Sequence, residues 1–232
     1  MSQEQSDTIE LRRSAMERYL PVAGGLIMLV PTAFLLIVAI GVVRESPAVG
    51  LFILVIAVLM VLLTLVVAIE ARDRWRTRIR IVGGEVTLSL PRYLERPPLE
   101  RAVPLADLAA VDWREEVFRS IGLSAMHQAY ALALNDGTRL VMGGDKQMAG
   151  SFYAEAARTI AERAGVPIRQ LGMFDGHGGV MQVTGMRAPD WASQPLDAAS
   201  AAKRRRAVDM TYRAMWAVIV LAIVLRLLVE FI

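Results

Sequence analysis

LPVAGGLIMLVPTAFLLIVAIGVV, residues 20–43, and PAVGLFILVIAVLMVLLTLVVAI, residues 47–69, decide how this chain is read. Neither run contains a charge, and only Arg44-Glu45-Ser46 separates them. Each is about 23 residues long, and a helix crossing a hydrocarbon core of roughly 30 Å needs about 20. The pair predicts a transmembrane helical hairpin over residues 19–70, preceded by an N-terminal segment, 1–18. Arg12, Arg13 and Arg18 precede the first run as they would in a signal peptide. The run exceeds an h-region of roughly 7–15 residues, however, and no small-x-small site closes it. An uncleaved signal-anchor hairpin is expected.

Lys and Arg collect at the cytoplasmic ends of membrane helices. Arg12, Arg13 and Arg18 stand before the hairpin; Arg72, Arg74, Arg76, Arg78 and Arg80 stand after it. The turn carries only Arg44, beside Glu45. Both outer ends are therefore expected in the cytoplasm, with Tyr19 and Trp75 at headgroup level. The absence of charge within the runs argues against an ion or proton pathway. Pro31 is expected to kink the first helix.

A third apolar segment follows Lys203, Arg204, Arg205 and Arg206, with Tyr212 and Trp216 near its start. Only Ala214–Leu225 is free of charge, and Arg226 and Glu230 stand i,i+4, where they can pair. A third span near Thr211–Ile232 is expected; a helix lying in the interface is the alternative. Of the 232 residues 55% are hydrophobic, above the roughly 45–50% of soluble domains. The chain has no cysteine, which excludes disulfides, thiolate metal sites and cysteine nucleophiles.

From Trp75 the period becomes two: Trp75, Thr77, Ile79 and Ile81 alternate with Arg74, Arg76, Arg78 and Arg80. A half-buried strand with an arginine face is expected. Gly83-Gly84 supplies a turn into Val86, Leu88 and Leu90. Further strands are expected near Arg101–Leu105, Ala110–Val117 and Met126–Leu134, with Asn135-Asp136-Gly137 turning into Thr138–Met142. Phe152, Ala156, Ile160 and Ala164 then set a helical period, with Ser151 as a cap and Gly165 and Pro167 as the stop. Strands followed by one amphipathic helix predict an α+β fold, a small antiparallel β-barrel or curved sheet with a capping helix. This soluble domain spans 74–168. A flexible connector (169–192) follows, with one short strand at Val180–Thr184. Residues 193–232 form a helix running into the third membrane segment. Ser193, Pro195 and Asp197 mark its start.

This order resembles the bacterial pleckstrin-homology-like (PH-like) domain of membrane-anchored proteins. The pieces that carry the resemblance are Arg78-Ile79-Arg80-Ile81-Val82-Gly83-Gly84, Val103-Pro104-Leu105-Ala106-Asp107-Leu108, Ala131-Leu132-Ala133-Leu134-Asn135-Asp136-Gly137, and Phe152 to Pro167. It covers roughly residues 19–168; the later tail departs from the simplest family layout. It implies a membrane hairpin ahead of a short barrel with a closing helix. It implies binding or scaffolding at the membrane, and no catalytic residues.

Asp175-Gly176-His177-Gly178-Gly179 matches a short acidic motif of metal-dependent phosphatases, whose Asp binds a metal. The large β-sandwich and further aspartates of those enzymes have no counterpart downstream, so a glycine-rich loop is expected. A membrane-bound metal hydrolase using Asp175 and His177 is a further reading that rests on this motif alone. His127, the other histidine, reads as a structural or surface residue. Asp112, Glu115 and Glu116 read as a solvated or partner-facing acidic surface. No Gly-x-Gly-x-x-Gly or Gly-Lys-Ser/Thr loop is present.

The expected function is therefore non-catalytic, with no metal or cofactor. A PH-like domain on the cytoplasmic face of a bacterial inner membrane would bind a membrane or cytoplasmic protein as scaffold or assembly factor. Trp113, Arg114, Glu115, Glu116 and Phe118 are its candidate contacts. The alternative is docking on anionic lipid through Arg74, Arg76, Arg78, Arg80, Lys203, Arg204, Arg205 and Arg206, each attracted by roughly 1 kcal/mol at the headgroups. Nucleic acid is not an expected partner, because no aromatic residues interleave these cations as a stacking platform.

Overall fold

A computed structural model describes residues 8–93, 96–120, 123–146, 150–176, 187–189, 191 and 194–231. The expected Val180–Thr184 strand, His177 and Ser193 lie outside them. The chain forms two compact units.

The first unit is Met1–Gly83 with Thr87–Arg92 and Pro97–Ala102. It holds helices α1 (Ala15–Glu45) and α2 (Pro47–Arg76), each long and apolar enough to cross a membrane. A core helix of a soluble protein would be mostly buried. Here Ile27 is 72% exposed, Ile37 71% and Phe52 66%, and the buried positions are small: Thr32, Ala39, Gly50, Ala57 and Ala71. At the turn, a Cβ on Gly50 would stand 2.5 Å from Val43 backbone atoms, so only glycine fits. Ser14 opens α1 with a capping box: Glu17 N–H donates to Ser14 Oγ (3.2 Å) and Ser14 N–H to Glu17 Oε2 (3.0 Å). α1 continues as helix through Pro21 and Pro31.

β1 (Ile9–Arg12), β2 (Arg78–Val82), β3 (Glu85–Leu90) and β4 (Leu99–Pro104) form a sheet in that order. The expected start of the strand at Trp75 is corrected. Helix continues to Arg76, held by the Glu70–Arg74 pair (2.7 Å) and by Trp75 edge-on to Tyr19. Thr77 ends it, donating from Oγ1 to Asp73 O. The second unit is Gly84–Val86, Tyr93–Arg96 and Val103–Ile232. After a 3-10 turn at Leu105–Asp107 come β5 (Leu108–Ser120), β6 (Leu123–Leu134), β7 (Arg139–Lys146), α3 (Phe152–Ala164), β8 (Ile168–Asp175) and α4 (Ala198–Phe231). The sheet order is β7-β6-β5-β8, antiparallel except for the parallel β5–β8 pair. Segment α3 is thus the crossover that a parallel strand requires. Its face of Phe152, Tyr153, Ala156, Ala157, Ile160 and Ala161 is buried.

Gly165 closes α3 in the left-handed conformation (φ 66°), as expected. The expected Ser151 cap is not made. Asp145 of β7 takes that role, accepting from Tyr153 N–H (3.1 Å) and Ala154 N–H (2.8 Å). Asp145→Ala should therefore cost about 1–2 kcal/mol. Ser151→Ala should change unfolding by no more than about 0.5 kcal/mol, and paired denaturant curves check both. β8 corrects the flexible-connector reading of its segment: Ile168–Asp175 hydrogen-bonds along β5 instead.

Candidate functional site

Strand alternation puts Asp112, Arg114, Glu116 and Phe118 on one face of β5, and all four are buried. The acidic cluster is therefore not one surface. Asp112 accepts from Arg139 Nε on β7 (2.9 Å) and Arg169 Nε on β8 (2.8 Å); Arg169 lies directly across from it in register. Glu115 lies on the opposite face and pairs with Arg205 of α4. Arg114, 1% exposed, donates from Nε and Nη2 to Glu116 Oε1. Its guanidinium is sandwiched between the rings of Phe174 and Trp191, each centroid 4.3 Å away. Arg114, Glu116 and Phe118 are thus removed from the partner-facing surface expected for them. Trp113 is partly buried and stacks on Tyr130 at 6.5 Å.

His127 of β6 stands directly opposite Glu116, with Nε2 2.8 Å from Glu116 Oε2. The contact has hydrogen-bond length without hydrogen-bond alignment. The histidine also borders a cleft of about 240 Å³ lined by Met126, Gln128, Asp145, Lys146, Gly150 and Ser151. The imidazole thus stands between the cleft and a buried carboxylate. Burial raises the Tyr130 phenol to about 12, so it stays protonated and donates to Gln128 Oε1 (2.9 Å).

Burial alone would raise the Glu116 carboxyl, but His127 and the Arg114 guanidinium outweigh it and hold Glu116 below its ordinary value of about 4.3. The folded chain then binds this proton less readily than the unfolded chain. Its stabilisation is complete above the unfolded value and is lost as pH falls from about 5 through the lower folded value. Denaturant midpoints between pH 7 and pH 3 should show that loss. Glu116→Gln should remove this component of the acid slope.

Helix α4 begins at a cap formed by Asp197, which accepts from Ser200 N–H (2.9 Å). That bond and the Ser200 hydroxyl hold the Asp197 carboxyl below its usual range. The first half of α4 is clamped to the sheet. Arg204 pairs with Asp175 of β8 (2.6 Å), Ser124 N–H donates to Thr211 Oγ1 (3.1 Å), and Val208 packs with Val117 and Met173. Of the arginines proposed for lipid, Arg204 and Arg205 are thus engaged in these pairs, and Arg74 is engaged by Glu70 and by the carbonyl of Glu17 (3.0 Å). Arg74 and Arg76 lie on α2, not on the arginine strand. Arg76, Arg78, Arg80, Lys203 and Arg206 are exposed.

Asp175, the first residue of the phosphatase-like motif, is held by Arg204. Among the described residues no group of three His, Cys, Asp or Glu side chains is placed to hold a metal. The Arg114 sandwich is not legible in the sequence, because Phe174 and Trp191 come from the segment read as a connector. The signal available was the alternation Asp112-x-Arg114-x-Glu116, which puts opposite charges side by side on one strand face. Searches with protein-family models, against curated proteins and against solved structures returned no match.

Proposed function

We propose that this is a multi-pass protein of a bacterial inner membrane, presenting a PH-like domain on the cytoplasmic side for protein interaction. Its role would be that of a scaffold or assembly factor rather than a catalyst. The observation that carries the reading is α4. The half of this continuous helix before Met215 is clamped to the second sheet, and the half beyond leaves apolar side chains such as Val218 (66% exposed) and Leu221 (57%) uncovered. With α1 and α2 before the sheets, apolar helices flank the folded strands at both ends of the chain. The proposed third crossing starts near Thr211. The order from β2 to β7, followed by α3, supports the PH-like reading; β1 and β8 are additions to it.

The contact surface is reassigned to exposed apolar residues of the second unit: Leu123 (59%), Ile168 (44%) and Met210 (70%). Photo-crosslinking residues placed at these positions in intact cells should give one discrete heavier adduct, absent from a control at Glu162 on α3. A membrane-retained chain that crosslinks nowhere would contradict the reading. An anionic-lipid surface is the second reading, favoured by the exposure of Arg76, Arg78, Arg80, Lys203 and Arg206.

A further inference from the structure

β1 brings Arg12 alongside the arginine strand. Its register sets Glu10 opposite Arg80 and Arg12 opposite Arg78. Ile9, Leu11, Ile79 and Ile81 take the inner positions, and Glu10, Arg12, Arg78 and Arg80 are exposed. Directly opposed residues of an antiparallel pair have Cβ atoms about 4.5–5.5 Å apart, and like charges there repel. Glu10 balances only part of the charge: it faces Arg80 and takes Arg12 Nε and Nη2, each at 2.8 Å, in a solvent-exposed pair that a phosphate can replace. Arg78 Nε reaches the Ser89 hydroxyl, at 3.4 Å. On these two strands one carboxylate therefore serves three arginines, and Arg76 at the end of α2 adds a fourth cation.

We infer that Arg12 and Arg78, with Arg76 and Arg80 beside them, bind the phosphate of an anionic phospholipid headgroup. Guanidinium forks match phosphate oxygens in pairs, and two forks on adjacent strands can bracket one phosphate. The position selects lipid over a soluble anion. The uncharged run of α2 ends at Ile69, and Arg76 lies seven residues on, about 10 Å of helix. That is roughly one Debye length at 0.1 M salt. Tyr19 and Trp75, both exposed, sit edge to face (5.1 Å) at the same end of the hairpin, where amphipathic rings meet headgroups.

This inference rests on the membrane reading, and the experiment separates the two. The full chain in mild detergent is offered equal phosphatidylglycerol and phosphatidylcholine, and retained lipid is counted by native mass spectrometry. Phosphatidylglycerol should be preferred. Arg12→Gln and Arg78→Gln should each reduce the preference about five-fold, the factor to which roughly 1 kcal/mol per headgroup-level cation converts. Arg163→Gln, removing the same charge from α3, should leave it unchanged. No preference in the wild type, or an unaltered one in the Arg12→Gln/Arg78→Gln double variant, overturns the site. Complete displacement by inorganic phosphate at equal concentration overturns the lipid assignment. Alkaline extraction of cell membranes is run in parallel. A chain that washes off reports failure of the membrane reading, and a retained chain without preference reports failure of this inference alone.

Discussion

Arg114→Ala should destabilise the second unit by about 3–5 kcal/mol, the cost of removing one partner from a buried ion pair. Glu116, wholly buried, would keep its charge with only His127 to face it. The Phe174 and Trp191 rings would lose the guanidinium between them. An arginine-to-alanine change at the exposed Arg163 should move stability by no more than about 0.5 kcal/mol. Arg114→Met combined with Glu116→Leu should recover much of the loss, because apolar groups of similar volume often replace a buried pair at little cost. Urea unfolding of the full chain in detergent, followed by tryptophan fluorescence, measures all three. A small loss for Arg114→Ala alone would show that the pair is not buried as described.

Gly143→Ala should cost about 2–4 kcal/mol, from overpacking and backbone strain together. Gly143 has φ 155°, and its Cβ would fall 2.6 Å from Tyr153 Oη and 2.7 Å from Tyr153 Cε2. Tyr153 is 1% exposed on the buried face of α3, so its ring cannot swing away. Tyr153→Phe in the Gly143→Ala background removes the hydroxyl and should restore part of the loss. Thermal melts of the single and double variants check this. Equal melting of Gly143→Ala and wild type would contradict the β7–α3 packing.

Much of the architecture was legible because it rests on local periodicity. The hairpin, β2, β3, β5, β6, β7 and α3 follow from apolar runs, alternation and glycine turns at Gly83-Gly84 and Asn135-Asp136-Gly137. β1 and β8 were not legible, because each is a strand by virtue of a distant partner. Ile9–Arg12 needs β2, about seventy residues away, and Ile168–Asp175 needs the buried edge of β5. The site suffered from the same limit. Asp112, Glu115 and Glu116 look like one acidic patch in sequence, but the pleat separates Glu115 from Glu116, and each finds its own cation. Likewise Arg204 and Arg205 read as headgroup ligands until β8 and β5 bring Asp175 and Glu115 to them. Arg78 and Arg80 keep the exposed face that the alternation predicts, although β1 brings Arg12 and Glu10 opposite them.

In the proposed topology α1 and α2 cross the membrane as a hairpin, with the strands on the cytoplasmic side. The chain has no cysteine, so single introduced thiols report cleanly. Ser46→Cys sits at the hairpin turn, where the serine side chain makes no cap bond, and Glu162→Cys sits on the exposed face of α3. In intact spheroplasts a membrane-impermeant maleimide should label Ser46→Cys. It should reach Glu162→Cys only after the membrane is permeabilised. Labelling of Glu162→Cys without permeabilisation, with Ser46→Cys protected, would contradict the account.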